Sequence, residues 1–127
     1  MAKILVVDDE FDVLKVLSKE LSAAGYQVVT ALTGKEGIKK AQENLPDLIL
    51  MDILLPDIDG ADAVKQMKNY PELKNKPVIF LTAMVTQSEE QNSALKINIG
   101  DDWYETVSKP YDKADLFSKI QKKLKVV

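Results

Sequence analysis

The strict alternation of two apolar patterns constrains the fold of this 127-residue chain more than any other feature of its sequence. Short continuous runs of Val, Ile and Leu, typical of strands buried on both faces, alternate with segments whose apolar residues recur at helical spacing. This order predicts an α/β fold, a doubly wound five-stranded parallel sheet flanked by five helices and joined by right-handed crossovers. The predicted strands are Lys3–Asp8, Tyr26–Leu32, Asp47–Asp52, Val78–Ala83 and Tyr104–Ser108. The predicted helices are Asp12–Ala24, Thr33–Asn44 with Thr33 as its cap, Ala61–Asn69, Gln87–Ile97 and Asp112–Leu124.

Composition fits a single domain over residues 1–127 and removes several kinds of chemistry. The chain is 46% hydrophobic, a share that suits one core, and its 127 residues are too few for two domains. It has no cysteine and no histidine, so disulfides, thiolate metal sites and histidine-based catalysis are excluded. A net charge of −3 gives no domain-wide basic footprint for nucleic acid. The apolar run in "MAKILVVDDE" is too short for a signal peptide, and no stretch approaches a membrane span. We therefore expect a soluble cytoplasmic protein with no direct nucleic-acid or membrane contact.

Chemically active side chains stand at the carboxyl ends of four predicted strands. In a doubly wound sheet these ends meet at one edge, and ligand sites form where the strand order switches. We therefore expect the side chains to converge. They are Asp8, Asp9 and Glu10 after the first strand, Asp52 at the end of the third, Thr82 near the end of the fourth and Lys109 after the fifth.

Carboxylates crowded at one edge repel one another unless a cation intervenes. Mg²⁺ is a natural choice, because it prefers oxygen ligands and uses only one or two carboxylates directly. Three carboxylates, one Mg²⁺ and Lys109 sum to a formal charge of about zero. The arrangement resembles a phosphoryl-transfer site, in which positioned cations neutralise charge on the transferred group. Asp52 would be the nucleophile and accept phosphate on its carboxylate.

Four motifs in combination resemble the receiver domain of two-component response regulators. The segment "ILVVDDE" resembles the acidic-pair strand of that family. The segment "DLILMDILLPDIDG" resembles its phosphoacceptor loop, with Pro56 four residues and Gly60 eight residues after the aspartate. The segments "VIFLTA" and "VSKP" resemble its Thr-Ala strand end and its Lys-Pro pair. The similarity covers nearly the whole chain and implies the flavodoxin-like fold of chemotaxis-type regulators.

The resemblance implies a phosphoacceptor and a metal site. Asp52 would be the phosphoacceptor. Mg²⁺ would be bound directly by Asp9, Asp52 and the backbone carbonyl of Leu54, and through water by Asp8. Leu54 and Met84, two residues after Asp52 and Thr82, offer no polar group to orient a hydrolytic water, so we expect a long-lived phosphoryl group.

The resemblance also implies roles for three residues of the later strands. Lys109 would pair first with Asp52 and then with the phosphoryl group. Thr82 would donate a hydrogen bond to a phosphoryl oxygen. The peptide bond between Lys109 and Pro110 would be cis, which helps to aim the lysine.

The sequence departs from the family at the position of its switch aromatic residue, three before the lysine. Thr106 stands there, and Tyr104 lies two residues earlier on the same side of the strand, about 6–7 Å away. Either Tyr104 takes over the aromatic role from a longer loop, or its coupling to Thr82 is altered. The alternative is that Trp103 and Tyr104 simply pack against the last helix.

The resemblance implies a signalling switch that catalyses only its own phosphorylation and dephosphorylation. A sensor histidine kinase or a phosphotransfer protein would be the donor. An unidentified output protein would bind the face formed by the fourth predicted helix, the fifth predicted strand and the fifth predicted helix. The protein would be a monomer, or a weak homodimer through that face. The sequence leaves open whether this is a natural single-domain regulator or part of a larger one.

Three other functions fit the sequence less well than the signalling switch. A haloacid-dehalogenase-like phosphatase needs a second aspartate where Leu54 stands. A flavodoxin-like nucleotide or flavin module needs a glycine- or hydroxyl-rich loop after the first strand, where the acids Asp8 to Glu10 would repel phosphate. A pseudo-receiver without phosphotransfer is disfavoured by the completeness of the site.

Overall fold

The computed structural model describes residues 2–82, 96–99, 102–109 and 111–125. All described strands belong to one sheet, in the order β2-β1-β3-β4-β6-β5. No helix in these ranges is long and apolar enough to cross a membrane. The strands are β1 (Lys3–Val7), β2 (Gln27–Ala31), β3 (Leu48–Asp52), β4 (Val78–Thr82), β5 (Lys96–Ile99) and β6 (Asp102–Ser108). The helices are α1 (Phe11–Ala23), α2 (Gly34–Asn44), α3 (Gly60–Met67) and α4 (Lys113–Lys125).

Helices cover both faces of the central strands, which explains their continuous apolar sequences. Strands β3 and β4 are buried at every residue. Successive side chains of a strand point to opposite faces, so Leu50 and Met51 enter different cores. Met51 lies in the core shared with α2 and α3. Leu50 lies in the core shared with α1 and α4. Five of the six strands pair in parallel, which confirms the predicted fold class.

The structure departs from prediction after β4. Lys96–Ile99 form a strand antiparallel to β6, with Ile97 opposite Tyr104. The predicted helix over Gln87–Ile97 is therefore wrong at Lys96 and Ile97, and its other residues lie outside the described ranges. The sequence "KINI" alternates polar and apolar residues with the period of a strand, and pairing with β6 supplies its backbone hydrogen bonds. The described chain thus has four helices, and its sheet gains a sixth, antiparallel edge strand.

Local side-chain chemistry sets the helix ends. Thr33 caps α2 as predicted, because its Oγ1 accepts a hydrogen bond from the backbone N–H of Glu36 at 3.1 Å. Asp59 caps α3 in the same way, with Oδ1 2.9 Å from the N–H of Asp62. Gly25 follows the end of α1 at a φ of 99°, a conformation that favours glycine. The chain therefore turns sharply into β2 at the predicted place.

Candidate functional site

The structure brings the predicted acidic residues, Thr82 and Lys109 to the carboxyl edge of the sheet. Asp52 ends β3 and Thr82 ends β4, while Asp8 and Lys109 directly follow β1 and β6. The chain leaves β1 for β2 on one side of it and returns to β3 on the other. The edge between β1 and β3 is therefore the switch point at which such sheets bind ligands. Asp8 and Asp52 stand on its two sides.

One lysine occupies the centre of this edge. The Nζ of Lys109 lies 2.6 Å from Oδ2 of Asp8 and 3.1 Å from Oδ2 of Asp52. It also lies 3.1 Å from Oε1 of Glu10. The side chain of Asp8 is fully buried, and those of Asp52 and Lys109 are only 6% and 11% exposed. The backbone N–H of Lys109 donates to the carbonyl of Thr82 at 2.8 Å, which ties the lysine to the end of β4.

The ionisation of Asp52 reflects this crowding. Burial raises its pKa from 3.8 to about 6, and the charge of Asp8 acts in the same direction. Contacts with Lys109 and the backbone N–H of Leu54 act against the rise. For Lys109, burial acts to lower the pKa, but its contacts with Asp8, Glu10 and Asp52 outweigh burial and raise it overall. The lysine is therefore a permanent cation, while Asp52 changes charge near neutral pH.

The same edge fits a hard divalent cation. Asp8, Asp9, Glu10 and Asp52 each offer a carboxylate oxygen, and these oxygens all lie within 4.8 Å of one another. Against the single charge of Lys109, the four carboxylates leave a formal charge of −3. Oxygen donors with an excess of negative charge are the environment that Mg²⁺ prefers. Glu10 was not among the predicted metal or catalytic residues, and the third acid of "DDE" was the available signal.

Gly60 lets the loop after Asp52 close tightly on the site. Its N–H donates to the carbonyl of Ile53 at 2.7 Å. A Cβ at this position would lie 2.1 Å from the backbone oxygen of Asp52, so a residue with a side chain does not fit. Pro56 lies exposed in the middle of the loop. Pro110, the other predicted proline, lies outside the described residues, and its cis peptide bond stays a prediction.

Asp57 joins this loop to α2, a contact that sequence reasoning missed. Its two carboxylate oxygens accept hydrogen bonds from the N–H of Gly34 at 2.9 Å and of Lys35 at 2.8 Å. Its slight burial acts to raise the pKa of Asp57, but these amide hydrogen bonds lower it overall. Ile58 lies beside Gly34, where an added Cβ would come within 2.5 Å of it. The sequence signal was an aspartate in a proline turn, but nothing in the sequence identified its partner helix.

The predicted switch residues are buried, but they do not all lie at the same level of the sheet. Thr82, Thr106 and Tyr104 are each no more than 7% exposed. Thr106 pairs with Phe80, and the ring of Tyr104 meets Phe80 edge-on at 5.7 Å. Tyr104 therefore stands about four strand residues, roughly 13 Å, below the level of Thr82. The position of Tyr104 therefore favours a packing role over a switch role, with Phe80 and not the last helix as the partner. Trp103 is 65% exposed and is not part of this packing.

A doubly wound sheet whose switch point holds an aspartate cluster and one lysine defines a receiver-type α/β domain. The sequence matches the response regulator receiver domain over residues 4–121. The chain therefore belongs to that family of two-component signalling proteins, as its motifs predicted.

The similar proteins include transcriptional and chemotaxis regulators. The alkaline phosphatase synthesis transcriptional regulatory protein PhoP of Bacillus subtilis is 37% identical over 94% of this chain and 47% of its own length. The chain spans about half the length of the curated relatives it matches. The Vibrio cholerae chemotaxis protein CheY4 is 31% identical, with a TM-score of 0.82 over 98% of this chain and 99% of its own. The Thermotoga maritima response regulator TrrA, solved with Mg²⁺ and BeF, is 32% identical, with a TM-score of 0.77 over 98% of this chain and all of its own.

Proposed function

We propose that Asp52 accepts a phosphoryl group from a phosphohistidine of a sensor histidine kinase or phosphotransfer protein in the cytoplasm. The contact between Lys109 and Asp52, at 3.1 Å inside a buried acidic cluster, is the observation that carries this proposal. It combines a nucleophilic carboxylate with a permanent cation at the switch point of the sheet. Membership of the receiver family supports the same role.

The proposed reaction is a direct displacement at phosphorus. An oxygen of ionised Asp52 forms a bond to phosphorus while the bond between phosphorus and the donor's imidazole nitrogen breaks. The electron pair of the broken bond remains on that nitrogen, and a proton carried by the other ring nitrogen makes the leaving group a neutral imidazole. Because protonated Asp52 is a poor nucleophile, its raised pKa of about 6 makes the metal-free site less reactive in acid.

The surrounding residues would stabilise the transferred group. The ammonium of Lys109 would move its contact from the Asp52 carboxylate to a phosphoryl oxygen, and the hydroxyl of Thr82 would donate to another. Asp8, Asp9 and Asp52, with the backbone carbonyl of Leu54, would hold Mg²⁺. The ion would neutralise charge on the transferred phosphoryl group.

Phosphorylation would act on partners through the change at Lys109. In the structure the ammonium of Lys109 contacts Asp8, Glu10 and Asp52, and its backbone N–H is hydrogen-bonded to the end of β4. A new phosphoryl partner would alter these contacts and shift the equilibrium between two conformations. An output protein would read that shift on the surface that includes β6 and α4. The protein itself would be a monomer or a weak homodimer through the same surface.

Phosphorylation by acetyl phosphate tests the proposal. With Mg²⁺ present, intact-mass spectra of the parent should show one added phosphoryl group. Asp52→Asn should show none, because an amide is not a nucleophile here. Asp62→Asn is the matched control, since it makes the same change at an exposed position of α3 and should be modified like the parent. Lys109→Ala should retain some modification but lose the accompanying conformational change.

A full adduct on Asp52→Asn would refute the assignment of the phosphoacceptor. Equal modification of the parent with excess EDTA would refute the role given to Mg²⁺.

A further inference from the structure

A groove crosses the amino-terminal end of the sheet, at the opposite end from Asp52. Its narrower part has a volume of about 220 Å³ and lies between the start of β6 and the turn that precedes β4. Its wider part, of about 480 Å³, continues towards Ala2 and Leu124. The two parts share the walls formed by Asn75, Lys76, Pro77 and Lys123.

Cations outnumber anions along this groove, although the whole protein has a net charge of −3. Within the described ranges, the one ion pair that a groove lysine makes joins Lys123 to Glu105 at 3.5 Å. The lining acids are Asp102 and Asp47, which accepts a hydrogen bond from the backbone N–H of Lys3 at 2.8 Å, so the lysines of the groove outnumber its acids by two. The groove is therefore suited by charge to an anionic ligand. Its four lysines are Lys68, Lys74, Lys76 and Lys123.

Lys68 is a partly buried cation of this groove, and its burial disfavours the charged form of its ammonium. Its Nζ donates to the carbonyl of Lys74 at 2.7 Å and of Lys76 at 3.3 Å, and lies 5.4 Å from the ring centre of Tyr104. In the described part of the chain it makes no ion pair with a carboxylate. Burial lowers the pKa of Lys68, and the charge of Asp102 opposes this only in part. A bound anion would favour the charged form and stabilise the ammonium where it stands.

Trp103 adds an aromatic surface to the same groove. It is the single tryptophan of the chain, it is 65% exposed, and it lines the narrower part beside the lysines. The strand neighbour Tyr104 is buried, so the two residues of β6 differ in what they offer. An exposed indole at the edge of a lysine-lined groove can stack on a planar base while the lysines contact phosphate.

We infer that this groove binds a nucleotide, with its phosphates on Lys74 and Lys76 and its base on Trp103. Lys68 adds positive charge to the wall of the groove, because its hydrogen bonds to the carbonyls of Lys74 and Lys76 hold its ammonium there. An inorganic polyphosphate or an acidic peptide would match the lysines but would leave the indole unused. The inference does not depend on phosphoryl transfer at Asp52, which lies at the other end of the sheet.

Fluorescence of Trp103 provides a direct test, because no other tryptophan contributes to the signal. The full chain is titrated with ATP in EDTA and low salt, so that no metal–nucleotide complex reaches the acidic edge. We expect saturable quenching, and weaker binding of both adenosine and inorganic triphosphate than of ATP. The double variant Lys74→Gln/Lys76→Gln should bind ATP on the order of tenfold more weakly. Lys19→Gln/Lys39→Gln, the same charge change at exposed positions of α1 and α2, should bind like the parent.

Two further measurements keep the result unambiguous. Calorimetry on Trp103→Ala should show weaker ATP binding without loss of the folded state, since the side chain is exposed. Asp52→Asn should bind ATP like the parent. The inference is overturned if no saturable change is seen up to about 5 mM ATP, a weak limit for a small ligand. It is also overturned if a glutamate-rich peptide or triphosphate binds as well as ATP, or if the control lysine pair has the same effect as the groove pair.

Discussion

Replacing the proposed phosphoacceptor with asparagine should stabilise the metal-free protein. Asp52 is buried beside Asp8, and these surroundings raise its pKa from 3.8 to about 6. Above pH 6 the folded protein must therefore hold a charge that the unfolded chain holds more easily. Asp52→Asn removes that charge and keeps the shape of the side chain. Lys109 would keep its contacts with Asp8 and Glu10, so the ammonium is not left unpaired.

The size and sign of the effect follow from proton linkage. Between pH 4 and 6 the folded protein binds more protons at Asp52 than the unfolded chain, so stability falls as pH rises through this window and is level above it. The pKa difference between 3.8 and about 6 corresponds to about 3 kcal/mol above pH 6. We expect Asp52→Asn to gain about 2–3 kcal/mol at pH 7.5, a figure that already includes the favourable contact of the charged carboxylate with Lys109, because that contact is part of the balance that sets the pKa. For a domain of this size that is a rise in Tm of roughly 6–12 °C.

Urea unfolding of the parent and of Asp52→Asn in EDTA, at pH 3.5, 5, 6 and 7.5, measures the predicted gap. The gap should be near zero at the lowest pH and largest at the highest. Excess Mg²⁺ should reduce this difference in stability, because the parent binds the ion more tightly than Asp52→Asn does and is stabilised more by it. Asp62→Asn controls for the loss of an exposed carboxylate. A variant less stable than the parent at pH 7.5, or a gap that does not change with pH, would refute the reasoning.

Three smaller changes test other parts of the site. Gly60→Ala places a Cβ 2.1 Å from the backbone oxygen of Asp52, so it should cost about 3 kcal/mol or more in urea unfolding. Gly25→Ala should cost less, because its Cβ meets no atom within 4 Å and only the backbone strain at a φ of 99° remains. Asp57→Ala removes an exposed carboxylate from the first amides of α2, and should cost about 0.5–1 kcal/mol at pH 7 but nothing below the lowered pKa of Asp57. Leu54→Asn adds a polar group beside the site and should shorten the phosphoryl lifetime, as followed by mass spectrometry after the donor is removed; an unchanged lifetime would exclude Leu54 as a barrier to water.

The sequence was sufficient to predict those features for which a residue pattern is compatible with a single structure. Continuous apolar runs such as that ending at Asp52 require burial on both faces, and parallel strands bring their ends together, so the convergence of Asp52 and Lys109 followed from order alone. The strand at Lys96–Ile99 was missed because a short segment fits helix and strand patterns almost equally, and its pairing with β6 is a tertiary choice. The contact of Asp57 with α2 was missed for a similar reason, since sequence shows a turn residue but not which helix end it meets.

The position of Tyr104 depended on strand register, which the sequence left undetermined. Its alternation with Thr106 was evident, but not how far β6 slides along β4. The pairing of Thr106 with Phe80 places Tyr104 deep in the core, away from Thr82. A shift by two residues would have kept the same face and moved the ring towards the site.

Gly60 also limits which substitutions the loop after Asp52 can tolerate. Every amino acid other than glycine has a Cβ, and a Cβ at position 60 would lie 2.1 Å from the backbone oxygen of Asp52. In a saturation library selected for signalling, position 60 should therefore be as depleted of variants as position 52, although its residue takes no part in the chemistry. Exposed Pro56, in the same loop, should tolerate far more replacements. Intolerance to mutation around this site would then identify the closest backbone approach as well as the reacting group.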